Sequence, residues 1–124
     1  MHVFVDGMNV IGSRPDGWWR DRPGAMRRLV SGLDELARET PDRITVVFDG
    51  RPIEPAPEAA RVEVLFAPGR RSAADDEIAR RVGDSADPGS IRVVTSDGEL
   101  ADRVRGHGAE VEGAGAFRRR LEGG

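Results

Sequence analysis

The sequence predicts an α/β fold built on a largely parallel sheet, and two observations carry that expectation. Short apolar runs alternate along the chain with segments of helical periodicity, the order that strand–helix–strand units produce. One of those runs, Ile44 to Phe48, is almost continuously apolar, as strands covered by helices on both faces are. With 124 residues, no internal repeat and no linker-like stretch, one domain over residues 1–124 with one hydrophobic core is expected.

Taken in order, His2 to Val5 reads as the first strand. A turn-rich segment follows, punctuated by Gly12, Pro15, Gly17 and Pro23. Met26, Leu29, Val30, Leu33, Leu36 and Ala37 then recur at three- and four-residue spacing, which is an amphipathic helix. Ile44 to Phe48 is the second strand, and Arg51 to Pro57 a mobile, proline-rich surface loop. Arg61 to Phe66 alternates, with Val62, Val64 and Phe66 on one side, and belongs at a sheet edge. Ser72 opens a second long helix. Ile91 to Thr95 is another buried strand, and Glu99 to Arg105 a helix that stops at Gly106. Val111 centres a short last strand, and Phe117 with Leu121 marks a closing helix.

Composition removes whole classes of chemistry. Cysteine is absent, which excludes disulfide frameworks, thiolate zinc sites and cysteine nucleophiles. All 19 basic residues are arginine, so there is no phosphate-loop lysine and no Schiff-base chemistry. No run approaches the roughly 18 apolar residues of a membrane helix, and no signal peptide opens the chain. A cytoplasmic location without a membrane partner is therefore expected. A net charge of −3 argues against broad coating by nucleic acid, but not against a basic rim around an acidic site. His2 and His107 lack partners that would make them catalytic, and structural or solvated places are expected for both.

The chemistry concentrates at strand ends. In open parallel sheets, ligands bind beyond the carboxyl ends of the strands. Three strands here end in aspartate followed by glycine: Asp6-Gly7, Asp49-Gly50 and Asp97-Gly98. One such pair is an ordinary turn signal, and Ser96 or Asp97 can simply cap the next helix. Three at one edge are costly, because two carboxylates about 4 Å apart repel by about 4 kcal/mol at an effective dielectric of 20. A cation relieves that repulsion, and hard oxygen donors without thiolates select Mg2+ or Mn2+.

A fourth carboxylate joins them from a helix. At 100° per residue, Asp75 shares the inward face set by Ile78, Ala79 and Val82. Asp76 lies about 200° from Ile78 and can pair with Arg80. Asp75 has two readings, a capping-box partner of Ser72 or a metal ligand. Other chemistries on this fold fit less well. The turn from Asp6 to Gly12 lacks the glycine spacing of a dinucleotide site. A haloacid-dehalogenase-type phosphatase needs a second aspartate where Met8 stands, and a receiver domain needs a lysine.

Taken together, the motifs resemble a known family. Val-Asp-Gly-Met-Asn-Val-Ile-Gly at 5–12, Val-Val-Phe-Asp-Gly at 46–50, Arg-Val-Glu-Val-Leu-Phe at 61–66, Ala-Asp-Asp-Glu-Ile at 74–78 and Val-Thr-Ser-Asp at 94–97 are similar to the YacP-like branch of the NYN domains, which are PIN-like nucleases. The likeness spans about residues 3–117. It implies a PIN-like three-layer α/β/α sandwich with a mostly parallel sheet, and Mg2+- or Mn2+-dependent endonucleolytic cleavage of RNA. It also implies Asp6, Asn9, Asp75 and Asp97 as catalytic residues, with Asp49 and Ser96 beside them. The metal ligands would be Asp6, Asp49, Asp75 and Asp97. Single-stranded or messenger RNA is the implied partner, with ribosome docking and a homodimer as further expectations. Longer relatives continue past the equivalent of Leu121 into an extra helical tail.

In such a site one cation activates water and the same or a second one stabilises the leaving oxygen. Asn9 would hydrogen-bond a phosphate or orient a ligand carboxylate, while Gly7 and Gly98 would let the substrate backbone approach. Arg14, Arg20 and Arg22 follow the first strand, and Arg70 and Arg71 precede the Ser72 helix. Arg14, Arg70, Arg71 and Ser96 are the expected phosphate contacts. Trp18 and Trp19 would stack on unpaired bases, worth about 1–3 kcal/mol per base; packing over the first helix or against a second subunit is the alternative. The rival functions are an RNA- or ribosome-binding module with little cleavage activity, a toxin-type PIN nuclease and a metal-dependent phosphatase.

Overall fold

The computed structural model describes residues 1–123. Five strands form one sheet: β1 (His2–Asp6), β2 (Arg43–Asp49), β3 (Glu63–Ala67), β4 (Ile91–Val94) and β5 (Glu110–Glu112). Their order is β3-β2-β1-β4-β5, and every pairing is parallel. The chain thus steps outward from β1 to β3, then returns to add β4 and β5 on the other side. The reversal of direction leaves a crevice between β1 and β4 at their carboxyl ends, where open parallel sheets place ligands.

Five helices cover the sheet: α1 (Gly7–Gly12), α2 (Arg22–Arg38), α3 (Ala73–Asp84), α4 (Gly98–Gly106) and α5 (Ala114–Glu122). Alternation along the strands divides the core into two. Val3, Val5, Ile44, Val46, Phe48 and Val94 pack with α1, α2 and α5. Phe4, Val47, Ile91 and Val93 pack with α3 and α4 on the opposite face. The result is a three-layer α/β/α sandwich, as the sequence leads one to expect, with a sheet that is parallel throughout.

Three local expectations need correction. The turn-rich stretch after β1 contains a short helix, α1. Six residues bounded by glycine carry little helical signal of their own, and burial of Val10 and Ile11 in the core holds the turn in place. Pro23 lies in the first turn of α2, where its missing N–H costs nothing; the Asp21 side chain caps that helix by accepting from the Gly24 N–H at 3.1 Å. The proline-rich loop is also tied down. Arg27 donates to the Pro55 carbonyl, and Asp34 accepts from the N–H groups of Ala60, Arg61 and Val62. The histidines take structural places: His2 hydrogen-bonds Thr45 and stacks on Phe4, and His107 follows α4 and packs over Gly83.

Gly7 differs from its expected role. A Cβ there would lie 2.5 Å from the Phe48 ring, so glycine is required by packing beneath the site and not by substrate approach. Gly98 has nothing within 4 Å of a built Cβ and remains open. Gly7→Ala is expected to destabilise the protein by about 1–3 kcal/mol through overpacking, whereas Gly98→Ala should stay within about 0.5 kcal/mol of the parent. Urea denaturation of both variants checks the contrast, and equal effects would contradict it.

Candidate active site

Because β1, β2 and β4 are parallel neighbours, their carboxyl ends meet at one edge, and each delivers an aspartate. Asp6 ends β1 and is 4% exposed. Its Oδ2 accepts from the buried Thr95 hydroxyl at 2.8 Å. The same Thr95 oxygen accepts from the Asp97 N–H at 3.1 Å, so one threonine ties the end of β1 to the turn after β4. Thr95 lies in the Val-Thr-Ser-Asp motif, yet the sequence suggested only a strand residue. A hydroxyl at the buried end of a strand beside aspartates was the available signal.

Asp49 and Asp97 each use one oxygen on a helix start. Asp49 Oδ1 accepts from the Ala74 N–H at 2.9 Å, and Asp97 Oδ1 accepts from the Leu100 N–H at 3.0 Å. The N-termini of α3 and α4 therefore both face the edge, where their dipoles favour negative charge. Ser72 precedes α3 but makes no side-chain cap bond, so the capping box expected of Ser72 and Asp75 does not form. Asp75 is instead turned inward, within hydrogen-bonding reach of Asp6 and near Asp49 and Asp97.

Asp76 points elsewhere, as its helical phase requires, but its partners are not those expected. It pairs with Arg70 and, at 2.9 Å, with Arg103, while Arg80 pairs with Glu77 and Asp84. Arg80 is four residues away on the same helix, but Arg70 and Arg103 reach Asp76 from the preceding loop and from α4. Sequence spacing carries no trace of the contact with α4.

Asn9 and Ser96 bind one another. Asn9 Oδ1 accepts from the Ser96 N–H at 2.8 Å, and the Ser96 hydroxyl accepts from the Ala114 N–H at the start of α5. Both residues stand at the edge as framework between α1, β4 and α5. Arg14 does not reach the aspartates. It pairs with Asp16 and with Glu122 at the far end of α5. Arg71 is exposed, and among the described residues it forms no ion pair. Arg22 is the arginine of its loop that the structure brings to the edge, donating to the Asp49 carbonyl at 3.0 Å. The tryptophans separate: Trp18 is half-buried against the core, and Trp19 is 59% exposed beside Arg20.

Electrostatics mark the same edge. Burial raises the Asp6 pKa to about 7, aided by Asp75, Asp49 and Asp97 and opposed by the Thr95 hydrogen bond. Burial likewise raises Asp75 to about 6, with Asp97 and Asp49 adding to it. All the donors are hard oxygens, and no arginine hydrogen-bonds Asp6 or Asp75 among the described residues, so the set suits a hard divalent cation. No three of these side chains close into a cage among the described residues. One or two direct carboxylates with water completing the shell is the mode Mg2+ favours. Asp6, Asp49, Asp75 and Asp97 are the residues that could supply them. The cavity of about 250 Å3 behind α1, lined by Val10, Ile11, Asp16, Trp18 and Leu29, contains none of these four aspartates.

The family model described as "YacP-like NYN domain" matches residues 3–123. The chain is a YacP-like NYN domain. Crystal structures of Rae1 (YacP) from Bacillus subtilis and of a point mutant of it share the fold, with TM-scores of 0.77 and 0.76 and identities of 28% and 27%. The alignments cover 99% of this chain and 74% and 75% of those chains. No curated protein sequence matches. NYN domains of this type are PIN-like nucleases, which supports a ribonuclease-type function for this domain and RNA as its substrate. No helix among the described residues is long and apolar enough to cross a membrane.

The raised pKa values have a consequence for stability. Asp6 at about 7 and Asp75 at about 6 lie above the ordinary value of 3.8 that the unfolded chain approaches. The folded state therefore binds more protons than the unfolded chain between about pH 4 and pH 7, and stability falls as pH rises through that window. At about 1.4 kcal/mol per unit, ionising Asp6 costs up to about 4 kcal/mol. Asp34 and Asp42, whose pKa values are lowered, act in the opposite sense below about pH 4, and His2, lowered by burial, offsets part of the trend below about pH 6.5. Metal-free protein is expected to be more stable near pH 5 than near pH 8, and Asp6→Asn to remove most of that difference. Denaturant titrations at the two pH values check this, and a flat parental profile would contradict it.

Proposed function

We propose that this YacP-like NYN domain is an endoribonuclease that hydrolyses phosphodiester bonds of single-stranded RNA with the help of Mg2+ or Mn2+ at the Asp6 edge. The observation that carries the reading is the gathering of Asp6, Asp49, Asp75 and Asp97 at one end of the sheet, close enough to raise the pKa values of Asp6 and Asp75, with no guanidinium hydrogen-bonded to either of these two among the described residues. Such a cluster is electrostatically unfavourable when empty, and binding alone would not require it.

When bound, a divalent cation neutralises charge building on the phosphate and lowers the pKa of water towards neutrality. The chain does the rest. Asp6 and Asp75 would hold the cation in their ionised forms, so affinity is expected to rise with pH towards neutrality. Asp49 and Asp97 each keep one oxygen on a helix N-terminus and have a second to offer. Thr95 keeps the Asp6 carboxyl oriented, and the Asn9–Ser96 contact holds the turn after β4 against α1. Arg22 brings positive charge to the rim, and Trp19 presents an aromatic face to an unpaired base.

Mixed single-stranded RNAs incubated with Mg2+ or Mn2+ are expected to yield internal cuts, read by mapping the new ends. Asp6→Asn and Asp97→Asn should each lower kcat at least a hundredfold while the protein stays folded. The parental melting temperature should rise with the logarithm of metal concentration above the dissociation constant. RNA binding without cleavage under these conditions would favour the binding-module reading. Turnover of p-nitrophenyl phosphate with RNA left intact would favour a phosphatase.

The two tryptophans are expected to respond differently. Trp19→Ala should raise KM for single-stranded RNA about tenfold, within the range of a lost base stack, with the melting temperature unchanged. Trp18→Ala should lower stability by about 3 kcal/mol or less, since the side chain is only half-buried. Steady-state kinetics and thermal melts on the two variants distinguish these outcomes, and identical behaviour would contradict the division of roles.

A further inference from the structure

Two arginines share one carboxylate at the lip of the aspartate edge. Asp76 Oδ2 accepts from Arg70, which lies in the loop before α3, and Asp76 Oδ1 accepts from Arg103 of α4. Both side chains remain open to solvent, at 77% and 41% exposure. The neighbouring ion-pair networks are balanced. Arg80 and Arg81 meet Glu77 and Asp84, and Arg14 and Arg118 meet Asp16 and Glu122. The pairs Arg43–Glu63, Arg92–Glu110 and Arg120–Glu112 are one to one. Among the described side-chain ion pairs, the Asp76 network alone carries excess positive charge, in a chain whose net charge is −3.

Its position gives that charge a use. Asp76 follows Asp75, one of the aspartates of the edge, on α3, and Arg103 lies about 9 Å along α4 from Asp97. Exposed ion pairs add little stability, so bracing α3 against α4 is a weak reason for two guanidiniums on one acid. Each guanidinium has five N–H donors in a planar fork suited to phosphate oxygens, and the Asp76 pairing uses a single donor of each.

We propose that Arg70 and Arg103, held side by side by Asp76, form a phosphate-binding subsite for the RNA strand as it leaves the aspartate edge across α3 and α4. This rests on the ribonuclease reading and extends it to Arg103, whose contact with Asp76, 27 positions away, leaves no spacing signal in the sequence.

Binding of a fluorescein-labelled, mixed-sequence single-stranded RNA oligonucleotide at several salt concentrations, alongside steady-state cleavage, tests the subsite. Arg70→Gln and Arg103→Gln are each expected to raise Kd and KM about five- to tenfold and to leave kcat within twofold. Each should flatten the slope of log Kd against log salt by about 0.7, the share of one phosphate contact on a single strand. Arg103→Lys should restore the slope, and Arg80→Gln, whose charge is already balanced on α3, should leave it unchanged. Glutamine variants with the parental slope and Kd, whether or not their melting temperature falls, would overturn the subsite while the parental protein still cuts RNA. A parental protein that neither binds nor cuts RNA would overturn the ribonuclease reading, and the subsite with it.

Discussion

Burying the Asp6 carboxyl beneath the end of the sheet requires a hydrogen-bond donor, and the Thr95 hydroxyl supplies it from the adjacent strand. That contact fixes the end of β1 against the end of β4 and, through Thr95 and the Asp97 N–H, sets the turn that carries Asp97. Gly7 must then be glycine, because the chain leaves Asp6 directly over the Phe48 ring. Asp75, turned inward on α3, adds its charge to the surroundings of the same carboxyl. Moving Asp6 would disturb four elements at once.

The cost of that arrangement is concentrated in charge. Asp6 has lost most of its water, and its nearest charged neighbours are carboxylates, so its proton is held to about pH 7. The helix starts relieve part of the strain. Asp49 and Asp97 are each stabilised by an N-terminal amide of α3 or α4, and the local dipoles point towards the acidic edge. Asp6 and Asp75 receive no such compensation from an arginine. An edge of this kind is tolerated in a domain of marginal stability when function uses it, which is the physical link between the fold and a nuclease family.

The positive charges are distributed with comparable selectivity. Several arginines are neutralised by acids on their own helix or on an adjacent strand, as Arg80, Arg81 and Arg118 are on α3 and α5 and Arg43 and Arg92 are across the sheet. Those at the edge behave differently: Arg22 is held by a backbone carbonyl, and Arg70 and Arg103 share a single acid. A chain of negative overall charge can thus present a local positive rim beside an acidic centre, consistent with a polyanionic substrate bound at that edge.

Much of this protein was legible in the sequence because its signals are local or periodic. Apolar runs and helical spacing identified the strands and the long helices, and the parallel sheet that they imply placed Asp6, Asp49 and Asp97 at one edge. Helical phase alone turned Asp75 inward and Asp76 outward. The remainder depended on contacts between residues far apart in the chain. α1 is a helix because Val10 and Ile11 are buried, Asp49 caps a helix that begins 24 residues later, and Thr95 serves Asp6 across 89 positions. Arg103 reaches Asp76 only because α3 and α4 lie side by side on one face of the sheet. Periodicity determines which face of an element turns inward; which side chains meet there is decided by packing, because pairing between elements leaves no spacing signal in the chain.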